Sequence, residues 1–431
     1  MKKLLLIGSF VCIVLLGCGP EEQPPQFSAV FITLDEGEIS RPTVAVAEND
    51  DAVFWAWIRK DDDGWNVYVS TLDETGVERS DPLRVNHIPG NASPHAQAPA
   101  QIAVGPEGNV YVAWTNSTIV EGRRFPASDL LMSRSLDGGR TWSEEEAINS
   151  DAEEAPSGHT FHDILAMDDG TILVSWIDSR ERDRFSTSSN QEASQGSRSA
   201  HEGMHAPTTD ESGRNIGSEI WMARSRDGGL TFEETVVVDS NACPCCRTNL
   251  AAAPDGSVYL AWRHEFENGA RDIVVSRSDD SGSSFSEPVR VSEDNWVIEA
   301  CPHAGPALAV DTEGNVHVSW FTAADSGVGL FRTVSTNGGR SFQPRESVVP
   351  DQGISHTSFA RMGTGAFAMA SETLGPSTIS VSLIATDTGH SAAFEDIKGR
   401  SPSFSGNGRV SAIVFENGGS IESRIWRQLN P

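Results

Sequence analysis

The chain has 431 residues, a formal net charge of -29 and a pI near 4.6. That charge excludes nucleic acid and anionic membrane surfaces as partners. The acidity is spread along the whole length, as a solvated exterior requires, and the length is ample for a large core.

The N-terminus reads MKKLLLIGSFVCIVLLGCGP. Lys2 and Lys3 precede an apolar run from Leu4 to Leu16. This run is shorter than the ~20 residues of a membrane span and has the form of a secretory signal. It ends in Leu15-Leu16-Gly17-Cys18, which resembles the bacterial lipobox. The resemblance implies cleavage before Cys18 and attachment of lipid to it. Residues 1–18 are therefore expected to be a lipoprotein signal peptide and 19–26 a polar, proline-rich tether. Residues 27–431 are expected to form one domain, monomeric, held at the bacterial cell envelope through the lipid anchor alone.

One sixteen-residue unit then recurs. It reads PTVAVAENDDAVFWAW from Pro42, PAQIAVGPEGNVYVAW from Pro99, FHDILAMDDGTILVSW from Phe161, RTNLAAAPDGSVYLAW from Arg247 and GPALAVDTEGNVHVSW from Gly305. Weaker copies start at His356 and Ser401. Each is an apolar run, a tight turn (acidic in the first five copies, glycine-bearing in most) and an alternating strand, the pattern of a β-hairpin. Seven copies indicate an all-β radial or solenoid array. A second motif follows four of the hairpins: SLDGGRTW at Ser135, SRDGGLTF at Ser225, SDDSGSSF at Ser278 and STNGGRSF at Ser335. Its hydroxyl and carboxylate can bond turn amides, its glycines accept positive φ, and its aromatic plugs the turn onto the sheet.

These turns resemble the Asp-box, or bacterial neuraminidase repeat, of the sialidase superfamily. The resemblance implies a β-propeller of four-stranded antiparallel blades. Seven blades are favoured and six are the alternative, since sialidases have six. The segment Phe27 to Leu34 would supply the outer strand of the last blade and remove exposed edges. Sialidases also carry an arginine triad, a Tyr-Glu nucleophile pair and an Asp acid/base. Only Arg41, in SRPTV, resembles a member of that set. The three tyrosines read as sheet packing, and none lies beyond Tyr259, where the family's nucleophile belongs. True sialidase activity is disfavoured on that ground, and enzyme status stays open.

The four cysteines beyond the leader are Cys243, Cys245 and Cys246, in CPCCR, and Cys301, in CPH. Aligned on their hairpins, Cys243 matches Cys301 and Cys245 matches His303. His95, His159, His162 and His356 likewise precede or open inner strands. A propeller gathers such positions at one axial mouth, where ligands bind. Ligand-binding candidates are Arg41, Arg247, His95, His159, His162 and Asp163. Metal or disulfide candidates are Cys243, Cys245, Cys246, Cys301, His303 and His356, with zinc or copper as the metals that thiolate and imidazole suit. Export makes disulfides the default alternative. Arg41 and Arg247 favour an anionic ligand in so acidic a chain.

Residues 177–218 swell the third unit into a polar loop. It holds His201-Glu202-Gly203-Met204-His205, formally a zinc-protease pattern, but among poor helix formers; a solvated loop or a lid is expected. The leading functional expectation is an anchored propeller that binds a small-molecule, glycan or envelope-protein ligand, or a metal, at its Cys/His-rich mouth. A glycoside hydrolase of the sialidase superfamily and a structural or docking propeller are the alternatives.

Overall fold

The computed structural model describes Ile7–Gly8 and residues 27–428, apart from 36, 73–79, 96, 122, 124–125, 152–155, 184–207, 210–214, 299, 351–352, 364–365, 374, 376 and 386–390. Cys18, the tether and His201–His205 lie outside the described residues.

All of the anticipated hairpins form. The leading strands are Ile39–Val46 (β1), Gln101–Val104 (β2), His159–Ala166 (β3), Asn249–Ala252 (β4), Ala307–Val310 (β5), Ile354–Met362 (β6) and Arg400–Gly408 (β7). Each pairs antiparallel with the strand that follows it. Further antiparallel strands extend these hairpins into four-stranded sheets, β1 through Leu83–Arg84 for example. Two sheets are longer. One joins two such quartets through the pair Ala242 and His264, the other through two parallel pairs between β6 and β7. In the second, Phe27–Asp35 pairs along its whole length with Ser420–Gln428. The result is a propeller-like all-β fold.

The core lies between sheets, not at one centre. Phe54, Ile58 and Val67 of the β1 sheet pack on Ile102, Val112 and Trp114 of the β2 sheet. On the other face Trp55 and Trp57 pack on Val410, Val414 and Ile425. A strand covered on both faces buries successive residues, so Val110–Thr115 and Ile172–Asp178 are buried throughout. Several outermost strands are two-residue edges, which limits the backbone they offer to foreign strands.

The Asp-box turns are local clamps between neighbours. Ser135 Oγ donates to Asp137 Oδ1 (2.7 Å) and accepts from the Gly139 amide (2.8 Å), while Asp137 accepts from the Thr141 amide and hydroxyl. These bonds hold the Asp137 carboxyl down at about 2. The next three copies repeat the Ser hydroxyl bond at Gly229, Gly282 and Gly339. Each turn also sits on the preceding sheet. A Cβ at Gly139 (φ 83°) would meet Phe54 at 3.7 Å; one at Gly229 (φ 76°) would meet Met132 at 2.8 Å and Tyr111 at 3.4 Å. Tyr111 and Tyr259 lie at this hairpin position, beneath the next unit's turn. Tyr68 donates to Asp61 Oδ2 (2.6 Å) under the Arg59 guanidinium. All three tyrosines are accounted for by packing.

Candidate functional site

The leading strands deliver their first residues to one place. A cavity of about 100 Å³ is lined by Arg41, Gln101, Asp163, Arg247, His356 and Ser401, among others. They come from six different hairpins. Ladder register shows why they meet. The pairing skips residues between Ser40 and Thr43, Thr160 and Asp163, Ile354 and Thr357, and Arg400 and Ser403. The same bulge thus recurs at the mouth end of four leading strands, turning side chains out of the sheet. Phe161 and Ser401 occupy its left-handed position, each with φ 57°. In this register His356 corresponds to His162, and Arg41 stands at the position of Arg247.

His356 is the hub. Its Nδ1 lies 3.0 Å from Arg41 Nη1 and 3.2 Å from Glu372 Oε2, and its Nε2 lies 2.9 Å from Gln97 Oε1. The same Glu372 oxygen accepts from the Ser401 amide at 3.1 Å. Burial, then the Arg247 and Arg41 charges, hold the imidazole far below its usual range, so it is neutral at pH 7. Burial lowers Arg41, and burial together with the Arg41 charge takes Arg247 down to about 10. Neither arginine has an ion-pair partner among the described residues. Asp163 instead accepts from Asn249 Nδ2 and the Leu250 amide, both at 2.7 Å. Burial raises its carboxyl.

The remaining candidates divide. His95 and His303 stand near the mouth; burial, then His303, lowers His95. His303 takes a left-handed φ of 49°, and its buried Nδ1 has no partner among the described residues. His162 is buried beside the Ala113 carbonyl (3.0 Å) and held by burial down to about 4. It does not line the cavity. Nor does His159, which sits in a buried ion cluster with Nε2 3.0 Å from Asp151 and 3.3 Å from Asp178, both also paired to Arg180. Its place is structural, set by acids that no repeat alignment reveals.

The thiols form a separate cluster. Cys243, Cys245 and Cys246 are buried, and their sulfur atoms lie within 4.8 Å of one another. Cys301, half-buried, reaches Cys245. All four are free thiols, not disulfides. His356, grouped with them on sequence grounds, belongs instead to the arginine cavity. Contact with Cys245 lowers Cys243, but contact with Cys246 and burial prevail and push it up to about 12. Burial opposes ionisation of Cys246, yet both neighbouring thiols, the Arg263 charge and the Ala304 amide hold it well below the usual thiol range.

Sequence reasoning missed Gln97, Glu372 and Arg263. Glu372 left a trace. It stands where five other hairpins have Trp57, Trp114, Trp176, Trp262 and Trp320, a buried acid in a tryptophan position.

Over 268 residues the chain is 28% identical to a sialidase of Micromonospora viridifaciens. That match covers 58% of this chain and spans 36%, about a third, of the relative's length. The fold is similar to that of a Hadza microbial sialidase, with a TM-score of 0.50 and 14% identity over 88% of this chain and 76% of that one. It is similar as well to a polysaccharide lyase of family 25, an ulvan lyase, with a TM-score of 0.55 and 10% identity over 91% and 94% of the two chains. No family model matches the chain. At these identities the structural likeness is one of fold, and together with the sialidase homologue it supports a sialidase-like superfamily.

Proposed function

We propose that the protein is a sialidase-superfamily β-propeller of seven blades that binds the carboxylate of an acidic sugar in its axial cavity. The ring is read from the succession β1 to β7, each leading strand packed on the next and β7 on β1. The pairing of Phe27–Asp35 with Ser420–Gln428 completes the seventh blade. Lipid on Cys18 would hold this domain at the cell envelope. The observation that carries the ligand is the pair of guanidiniums, Arg41 and Arg247. They line one cavity without a carboxylate partner among the described residues, in a chain of net charge -29. A carboxylate held between them would supply the missing charge in a bidentate site.

A second reading, catalysis on the same ligand, is favoured by His356. Once a bound carboxylate offsets the two arginine charges that depress it, the neutral imidazole could take the proton from the carbon beside that carboxylate. The bond from the next carbon to the linking oxygen breaks and that oxygen leaves with a proton from water, the β-elimination of a uronate lyase. Hydrolysis of the sialidase type finds less support, because none of the three tyrosines lines the cavity. Calorimetric titration with sialic acid, glucuronic acid oligosaccharides and their neutral counterparts tests the first reading. Acidic sugars should bind and neutral ones should not; equal or absent binding of both sinks it. Appearance of an unsaturated uronate absorbance on incubation with polyuronate would add the second.

A further inference from the structure

We propose that Cys243, Cys245 and Cys246, with Cys301 as the fourth donor, bind a thiolate-preferring metal ion, zinc or copper(I). Local backbone brings the donors together. The strand Val236–Ala242 ends where the Cys243 amide donates to the Arg263 carbonyl (2.8 Å), and the turn at Pro244–Cys246 folds back at once. Three sulfur atoms from four consecutive residues then point to one spot, and Cys301 arrives from the segment leading to β5. Cys243 Sγ lies 3.7 Å from Cys245 Sγ and 3.8 Å from Cys246 Sγ. Four sulfurs at ~2.3 Å from a central ion in a tetrahedron are ~3.8 Å apart along each edge, and both separations from Cys243 match that edge.

Charge is the second, independent observation. Arg263 is 1% exposed and donates to the carbonyls of Arg271 (2.7 Å), Phe321 (2.8 Å) and Ala304 (3.0 Å), with no ion-pair partner among the described residues. Arg271, 5% exposed, stands beside it, and the Nε atoms of both lack a hydrogen-bond partner among the described residues. Both guanidiniums act on the sulfur atoms. Neutral thiols or disulfides would leave the Arg263 charge buried and uncompensated, whereas a divalent ion with four thiolates carries two negative charges. The Ala304 amide completes the surround by donating to the Cys246 sulfur. Bonds of this kind to ligand atoms orient and tune a metal site. The cluster ends one residue before Arg247, so a bound ion would also fix the start of β4.

The test uses the full chain, purified without oxygen and without chelator. Elemental analysis should find about one equivalent of zinc or copper per chain, and which one names the resident ion. After stripping, added cobalt(II) should develop the near-ultraviolet thiolate-to-cobalt absorption of a tetrahedral site. Cys245→Ser should lose the metal and the absorption. Cys301→Ser, which changes only the least buried donor, should weaken cobalt binding at least ~10-fold with far-ultraviolet circular dichroism unchanged. Less than about a tenth of an equivalent of any metal, no cobalt absorption from the reduced protein, and a mass showing two disulfides would overturn the proposal.

Discussion

Replacing His159 by Gln removes the member of the Asp151–His159–Asp178–Arg180 cluster that titrates on the alkaline side of neutrality. Burial opposes protonation of this imidazole, but hydrogen bonds to Asp151 and Asp178 and their charges win and raise it to about 9 from 6.5. A basic group raised on folding stabilises fully below its unfolded value, so the contribution is complete below pH 6.5 and is lost as pH climbs through about 9. A shift of this size corresponds to about 3 kcal/mol, at ~1.4 kcal/mol for each pH unit. A domain of this length unfolds with an entropy of ~0.8 kcal/mol/K, so the loss should lower Tm by ~4 °C. Scanning calorimetry of both proteins at several pH values between roughly 6 and 9.5 reads it directly. The wild type should fall by that amount more than His159→Gln across the interval. Parallel curves for the two proteins would show that His159 is not protonated in the fold, and the reasoning would fail.

Arg41→Ala and Arg247→Ala should each weaken binding of an acidic sugar by ~10-fold or more in calorimetric titration, the loss of a charge-assisted bond. Gly305→Ala, in the cavity wall, should do the same, because its Cβ would stand 2.4 Å from the Arg247 carbonyl oxygen and displace that residue; unchanged affinity would show that the cavity tolerates the shift. Ser135→Ala leaves the buried Gly139 amide without its acceptor and should cost about 1–2 kcal/mol in urea unfolding. Cys18→Ser should move the protein from the membrane fraction to the soluble one on cell fractionation.

The hairpins were legible because five of them repeat a short-range pattern, apolar run, tight acidic turn, strand closing on Trp, and the copies at His356 and Ser401 keep its frame. The Asp-boxes were legible for the same reason, and so was the gathering of Arg41, Arg247 and Asp163, which follows from radial symmetry. What escaped depends on pairs remote in sequence. His159 looks like a mouth residue in the linear repeat, and only Asp151 and Asp178 make it an ion-cluster residue. His356 looks like a partner for the cysteines until the bulge register carries it to Arg41. Arg263 sits inside an ordinary apolar strand, VYLAWRHE, and nothing in that string announces a buried cation.

The pairing of Phe27–Asp35 with Ser420–Gln428 orders events at the ribosome. The first of these strands emerges long before its partner, which lies roughly 390 residues further along, a wait of ~20–80 s at ordinary elongation rates. Throughout it the nine residues FSAVFITLD offer an unclaimed strand edge with one charge at its far end. A holding chaperone would protect the nascent protein there, and where two copies are made side by side, exchange of this strand between them is the misassembly to look for.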